Sequence, residues 1–435
     1  MSVNIVGGGL AGVEAAWALA QRDIKVNLFE MKLAAFSSVH KNENLAEVVC
    51  SNSFGSISLT TASGVLKKEM EILGSLVVEA AYKSKVPAGN ALAVDRNQFS
   101  WLVTKKIINH KNIKVIRKKV EKTDNENIWI ISCGPLCDNS LNKHLQNIIG
   151  ENFLYFFDAI APIVYAESVD FSKGFWQSRY SDEKDYFNCV LSESEYNKFY
   201  EELINAEKVE FREFEKNYFE ACLPIEEIAQ RGKQTLLFGP LKPVGLEFNN
   251  KRPYAVVQLR KENKEGSLLG VVGFQTKLTY KEQKRVFSLI PALKDAEFAK
   301  LGSLHKNTFI DSPTLLNCFL QLKKKKNMVF AGQITGVEGY MASAASGIYA
   351  GLSVNAILRN KTFECLPKES MLGGLINYIT TKKEDFQPMS ENFGFINVGK
   401  IRNKKQKREK QAETALNNIK KWREEYESDT AQAYV

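Results

Sequence analysis

The first thirty residues alternate in a way that predicts a strand, a turn, a helix and a second strand. Residues 3–6 (Val-Asn-Ile-Val) read as a short buried strand. "GGGLAG" follows, then "VEAAWALAQRD" with the composition of a helix, then "IKVNLFE", a strand that closes on Glu30. Gly7, Gly9 and Gly12 stand in G-x-G-x-x-G register, with Gly8 inside the turn. Such glycines permit a tight turn and let a pyrophosphate approach the helix N-terminus. A carboxylate at the end of the second strand accepts hydrogen bonds from a ribose. The βαβ unit therefore predicts a dinucleotide site.

A second pattern of this kind lies late in the chain. "KNMVFAGQITGVEGYMASAASGIYAGLSVNAIL" opens with a buried strand at 328–331, turns at Gly332 and continues into a helix of small residues from Ala342 to Ala350. A late strand–glycine–helix element facing the first nucleotide fold is the arrangement that holds a flavin and its ribityl chain. The pair of patterns points to FAD rather than NAD. The small residues predict close approach of the helix backbone to a flat ring or a strand; a packing helix with no ligand is the alternative. Between about 165 and 320 the pattern changes to aromatic, alternating runs such as "YAVVQLR" and "LLGVVGFQT", plus a charged helical block, "ESEYNKFYEELINAEKVE". The expected fold class is α/β: a Rossmann-type FAD-binding domain in two pieces, 1–165 and 320–435, with an inserted α+β domain, 166–319, over the flavin face. Near the end, Leu416, Ile419 and Trp422 at helical spacing predict a docked terminal helix.

Composition adds bounds. At 435 residues and 44% hydrophobic the chain can bury a sizeable core, and two domains are expected. No uninterrupted apolar run approaches the roughly 20 residues of a membrane span. The start, "MSVNIVGGGL", runs straight into the first strand, so a cytoplasmic protein without leader or membrane association is expected. Seven dispersed cysteines argue against a disulfide framework and for reduced thiols. Cys133 and Cys137 are spaced C-x3-C with no second ligand pair nearby, so no metal site is expected. The net charge of +9 is densest at Lys323–Lys326 and after Gly399. It is compatible with a phosphate backbone as partner or with solvated faces.

Candidate chemistry starts from "YFEACLPIEEIAQRGKQTLLFGPLKPVGL". Cys222 precedes Pro224 and the pair Glu226–Glu227, and a Gly-Pro-x-Lys-Pro-x-Gly run carries Lys242. A thiol acts as a nucleophile when a base or a positive charge favours its thiolate. Glu226 is the candidate proton donor or acceptor, and Lys242 and Arg231 are candidate charges. Residue types alone favour a buried structural cysteine at 222. Cys50 ends the strand-like "LAEVVC" beside Ser51-Asn52-Ser53, where it either faces a cleft or sits in the core. "HKNTFIDSP" reads as a loop presenting His305 and Lys306.

Together these segments resemble the TrmFO (Gid) family of folate- and FAD-dependent RNA uracil-5-methyltransferases. "LAEVVCSNSF", "PAGNALAVDRNQFS", "VGFQTKLTYKEQKRVFSLIPAL", "HKNTFIDSP", "AGQITGVEGYMASAASG" and "ENFGF" are similar to that family's blocks, in the same order, over about residues 1–395. The resemblance implies that the methylene of 5,10-methylenetetrahydrofolate is reduced through FAD and placed on C5 of a uridine, with NADPH or NADH as electron source. It implies Cys222 as the thiol acting on the base and Cys50 as the second active-site thiol, the two roles being exchangeable. Gly7, Gly8, Gly9, Gly12 and Glu30 carry over as FAD-binding, and Gly332, Gln333, Glu338 and Gly339 as lining the flavin. Lys242, His305 and Lys306 carry over as contacts to RNA or folate. Three departures stand out. Phe54-Gly55 replaces the usual Leu-Arg, Lys306 replaces an Arg, and Cys133 stands where the family has Thr. Loss of two arginines removes phosphate-pairing forks and favours a 23S rRNA uridine, as in the RlmFO-like branch, over the tRNA T-loop uridine. A small-molecule flavin oxidoreductase and an RNA-binding flavoprotein with idle thiols are the readings from other classes.

Overall fold

Strand Ser2–Val6 stands at the centre of a five-stranded parallel sheet, flanked by Lys25–Glu30 and Ile113–Arg117 on one side and Trp129–Ile131 and Met328–Phe330 on the other. The computed structural model describes residues 2–34, 40, 42–150, 153–179, 182–209, 223–360, 364–384 and 386–431. Central strands of a parallel sheet are buried on both faces, which is why "WII" reads as a continuous apolar run and "VNIV" is buried throughout, Asn4 included.

Helix Leu10–Ala20 follows the first strand and packs against helix Tyr340–Leu358. The contact is backbone to backbone. A Cβ on Gly347 would stand 2.1 Å from the Ala11 carbonyl oxygen, and one on Gly351 would stand 2.8 Å from that of Ala15. The small residues of 342–351 thus serve a helix–helix contact, correcting the expectation of a ring or strand as their neighbour. Tyr340–Leu358 is long and apolar enough to cross a membrane, but 83% of its most apolar window is buried inside the protein. It is a core helix.

Two buried carboxylates lock further helices around this pair. Glu14 accepts from the backbone N–H groups of Leu76 and Val77 and from the Ser75 hydroxyl, at the start of helix Leu76–Lys83. Glu69 accepts from the N–H groups of Met371 and Leu372, at the start of helix Met371–Thr380. Each supplies acceptors to helix N-terminal donors that have no partner within their own helix. The terminal helix Lys404–Ala431 docks through Ala412, Ala415, Ile419, Trp422 and Tyr426, with Leu416 only partly covered.

A second core runs from Val164 to Leu293. It lies on a six-stranded sheet in the order 174–176, 186–191, 255–261, 268–271, 163–165, 298–300, antiparallel throughout. Helix Glu193–Asn205 covers it, started by a capping box between Ser192 and Glu195. The chain passes between the two sheets along an antiparallel ribbon, Phe153–Ile160 with Ser303–Ile310. "HKNTF" is therefore strand rather than the expected loop, with His305 opposite Asp158 and Lys306 opposite Phe157. Cys318 and Cys365 form a disulfide across 47 residues, correcting the expectation of uniformly reduced thiols.

Burial pushes the carboxyl pKa of Glu14 up to about 7 and that of Glu69 up to about 8, the helix N–H groups offsetting part of the effect. Both raised values exceed the unfolded value near 4.5, so between about pH 5 and 8 the folded chain binds more protons than the unfolded one. Stability from these groups is complete below about pH 4.5 and falls as pH rises, by at most about 1.4 kcal/mol per unit for each. Urea unfolding at pH 5 and pH 8 should show Glu69→Gln losing less stability over that interval than the wild type. In the same assay Gly347→Val should cost at least about 3 kcal/mol, because the helices must separate to admit it.

Candidate functional site

The glycine turn is built by three constraints. Gly7 has φ +98°, and a Cβ there would stand 2.4 Å from the Ser132 carbonyl oxygen. A Cβ on Gly12 would stand 1.8 Å from the Gly7 carbonyl oxygen, so the helix is pressed onto its own turn. Gly9 differs: nothing lies within 4 Å of where its Cβ would be, and it caps helix Leu10–Ala20 without a side-chain hydrogen bond. Open space in front of uncapped helix N–H groups is what an oxyanion requires. The Ser132 hydroxyl, donating to the carbonyls of Val6 (2.8 Å) and Gly7 (3.2 Å), holds the turn from behind.

Glu30 is buried, and each carboxylate oxygen accepts one backbone N–H: Gly8 at 2.9 Å and Lys32 at 2.9 Å. Each oxygen keeps lone-pair capacity for a further donor. Gly7, Gly9 and Glu30 line a cleft of about 1130 Å³, counted with its open mouth. Lys118 and Lys119 line it too, the latter paired at 2.9 Å with Asp138, which also lines the cleft. Gly332, Gln333, Tyr340 and Ser343 form the opposite lip. Glu338 is buried behind that lip and accepts from the Gln333 side chain at 2.9 Å. Gly339, at φ +99°, starts helix Tyr340–Leu358. A dinucleotide fits this donor set: helix N–H groups and lysines for phosphates, a carboxylate for hydroxyls.

Cys50 comes to the edge of the same cleft, next to its lining residues Val49 and Tyr340. The segment before it is irregular rather than the expected strand, because side chains satisfy its backbone. Tyr340 Oη accepts from the N–H groups of Cys50 (2.7 Å) and Ser51 (3.3 Å). Arg96 donates to the carbonyls of Val48 (2.6 Å) and Cys50 (3.2 Å), and Lys300 to that of Val49 (2.8 Å). Burial pushes the Tyr340 hydroxyl pKa up, which keeps the phenol neutral. The Cys50 sulfur lies within electrostatic reach of both the Arg96 guanidinium and the Tyr340 hydroxyl. Arg96 also pairs with Glu262 at 2.8 Å, and Arg260 donates to Asn52 and Ser51. The inserted sheet thus grips the thiol-bearing loop from its own side.

Other expected site residues fall elsewhere. Cys222 lies outside the described residues. Glu226 is fully buried, and its carboxylate accepts from the Thr276 hydroxyl and the Lys277 N–H. It ties helix Ile225–Gln230 to the following chain. Lys242 is half-buried in its Pro/Gly run, with its carbonyl accepting from Arg179. The side chains of His305 and Lys306 lie outside the described residues. Arg96, Tyr340 and His40 were not singled out from sequence, yet Arg96 holds the Cys50 loop and the other two line the cleft. An aromatic hydroxyl directly after Gly339, at a helix start, was the one available signal.

Comparison with known proteins follows the same outline. A family model described as glucose inhibited division protein A matches residues 2–362. A protein of Sulfurihydrogenibium named methylenetetrahydrofolate–tRNA-(uracil-5-)-methyltransferase TrmFO is 57% identical, covering 98% of this chain and 99% of its own. A protein of Aquifex aeolicus with the same name is 56% identical over 97% of this chain and 96% of its own. Among solved structures, GidA of Aquifex aeolicus superposes with a TM-score of 0.70 at 15% identity, covering 97% of this chain and 73% of that one. At that identity the likeness shows the fold alone.

Replacing Arg96 leaves the nearly buried Glu262 with the longer contact to Arg260, at 3.9 Å, in place of its 2.8 Å pair, and frees two carbonyls. Arg96→Met should cost about 3 kcal/mol in chemical denaturation, and adding Glu262→Leu should recover part of it. Full additivity of the two losses would refute the coupling.

Proposed function

We propose a function from one premise: the chain belongs to the glucose-inhibited division protein A (GidA/TrmFO) family. Its reaction is methylation of a tRNA uridine at C5, with 5,10-methylenetetrahydrofolate as carbon source, FAD as cofactor, and NADPH or NADH as electron source. The observation that carries this reading is the position of Cys50, a thiol outside any disulfide, whose loop Tyr340 and Arg96 hold next to the cleft-lining Val49.

Bound FAD, once reduced, supplies the electrons that turn a methylene into a methyl group. The glycine turn takes the pyrophosphate on its open N–H groups, and Glu30 takes ribose hydroxyls. Gln333, steadied by Glu338, and Tyr340 border the flavin end. Uracil C5 is a weak nucleophile until a thiolate adds at C6 and gives the ring enolate character. Cys222 is assigned that addition and Cys50 the second thiol's role, including removal of the C5 proton. The two assignments are exchangeable.

The tRNA target replaces the rRNA preference. Relatives more than half identical over nearly the full length carry tRNA in their names. One of the two departures that favoured rRNA, Phe54-Gly55, also has a packing reason; the side chain of the other, Lys306, lies outside the described residues. Phe54 is buried, with its ring 5.1 Å from that of Phe99 and 5.7 Å from that of Tyr340. Gly55 has φ +77° and abuts Ser63 and Lys67, where a side chain would not fit. Neither position reports on RNA choice. A small-molecule oxidoreductase has no observation in its favour beyond the shared nucleotide fold.

The test supplies labelled methylenetetrahydrofolate and NADPH with unmodified tRNA or with 23S rRNA. Label should enter tRNA as 5-methyluridine. Label in rRNA alone overturns the target, and label in neither overturns the reaction. A 5-fluorouridine tRNA should trap a covalent complex that either Cys222→Ala or Cys50→Ala abolishes; trapping unimpaired in both variants removes the thiols from the mechanism.

A further inference from the structure

Phe238 ends the short helix Thr235–Phe238 and is 81% exposed, more than any other large apolar side chain among the described residues. It leads into the Gly-Pro-x-Lys-Pro-x-Gly run that the sequence marks out and that the reaction above does not use. A ring left in water forgoes the burial that gives an aromatic side chain most of its stabilising effect. Its neighbours are not left so. Leu236, Leu241, Pro243 and Leu246 are buried, and the first and second of these belong to the second core.

The backbone that carries the ring is tied down. The Leu241 N–H donates to the Leu236 carbonyl at 2.9 Å and the Lys242 N–H to the Gly239 carbonyl at 3.3 Å, which folds the chain tightly just after Phe238. The Val256 N–H donates to the Leu241 carbonyl at 3.1 Å, and Arg179 donates to that of Lys242. Pro240 closes on Gly273, where a Cβ would stand 3.0 Å from the Pro240 Cβ. A partner that stacks on Phe238 therefore has little order left to impose. The surrounding charge selects that partner. Residues 231–252 carry Arg231, Lys233, Lys242, Lys251 and Arg252 against one acid, Glu247. Four of these cations are exposed and Lys242 is half-buried. Lysine is depleted in protein–protein interfaces, whereas a single-strand RNA site combines cations for the backbone with an aromatic ring for a base.

We propose that Phe238 is a stacking platform for an unpaired base of the RNA substrate, with the cations of 231–252 taking phosphates beside it. It rests on the reading that the substrate is tRNA. The stack replaces water on the exposed ring, and the charges supply the part of the affinity that salt screens.

Fluorophore-labelled unmodified tRNA is titrated with holoprotein, and its anisotropy is read at several salt concentrations. Phe238→Ala should weaken tRNA binding roughly tenfold, the loss of one base–aromatic stack. Phe238→Trp should bind as tightly as the wild type. Both should keep the wild-type urea midpoint, because the side chain is exposed. The slope of affinity against salt should stay unchanged in Phe238→Ala, whose ring carried no charge, and should fall in the double variant Lys233→Ala, Lys251→Ala. In methylation assays Phe238→Ala should raise the KM for tRNA and leave that for methylenetetrahydrofolate in place. Wild-type affinity in Phe238→Ala, a loss that Phe238→Trp shares, or an unchanged slope in the lysine variant overturns the proposal. So does a raised folate KM at unchanged tRNA affinity, which assigns the ring to folate instead. Wild type that binds no tRNA overturns the functional reading and the proposal with it.

Discussion

The cleft depends on how closely two helices approach. Gly347 and Gly351 let the backbone of Tyr340–Leu358 rest on Ala11 and Ala15 of the helix that leaves the glycine turn. That contact brings Gly332, Gln333 and Tyr340 opposite Gly7, Gly9 and Glu30, although more than three hundred residues separate them in the chain. Any side chain at these glycines would push the lips apart. Gly332 belongs to the same seam, since a Cβ there would stand 2.9 Å from the Ala11 methyl group.

Around this seam the molecule uses buried carboxylates as clamps. Glu14, Glu69 and Glu30 each accept two backbone N–H groups, the first two at helix N-termini and the third at the turn. At Glu14 and Glu69 burial opposes ionisation while the donors favour it. The arrangement orders helices from distant parts of the chain with few atoms, and it leaves charge-sensitive groups in the core. The inserted sheet adds a different clamp, with Arg260, Glu262 and Lys300 reaching across to the Cys50 loop. The second unit therefore acts on the thiol side of the cleft.

Much of this was legible in sequence where local rules carried it. The glycine turn, the acid at the end of the second strand and the late strand–glycine–helix unit are patterns of neighbours in the chain. The misreadings share one cause. "LAEVVC" has strand composition, but its backbone partners are the side chains of Arg96, Lys300 and Tyr340, which no local pattern announces. The partners of Glu226, the Thr276 hydroxyl and the Lys277 N–H, likewise lie fifty residues on in the chain. Gly55 reads as a lost arginine until its positive φ and its packing against Ser63 are seen.

The sequence by itself determined which elements form and which chemistry the chain can carry: a phosphate-binding turn, a ribose carboxylate, thiols, and a helix of residues small enough for close contact. The tertiary structure decided which of these share a cleft and which are spent on packing. Backbone periodicity and turn chemistry act over a few residues, so they are written in the chain. Burial and ion pairing depend on what surrounds a side chain once the chain has folded.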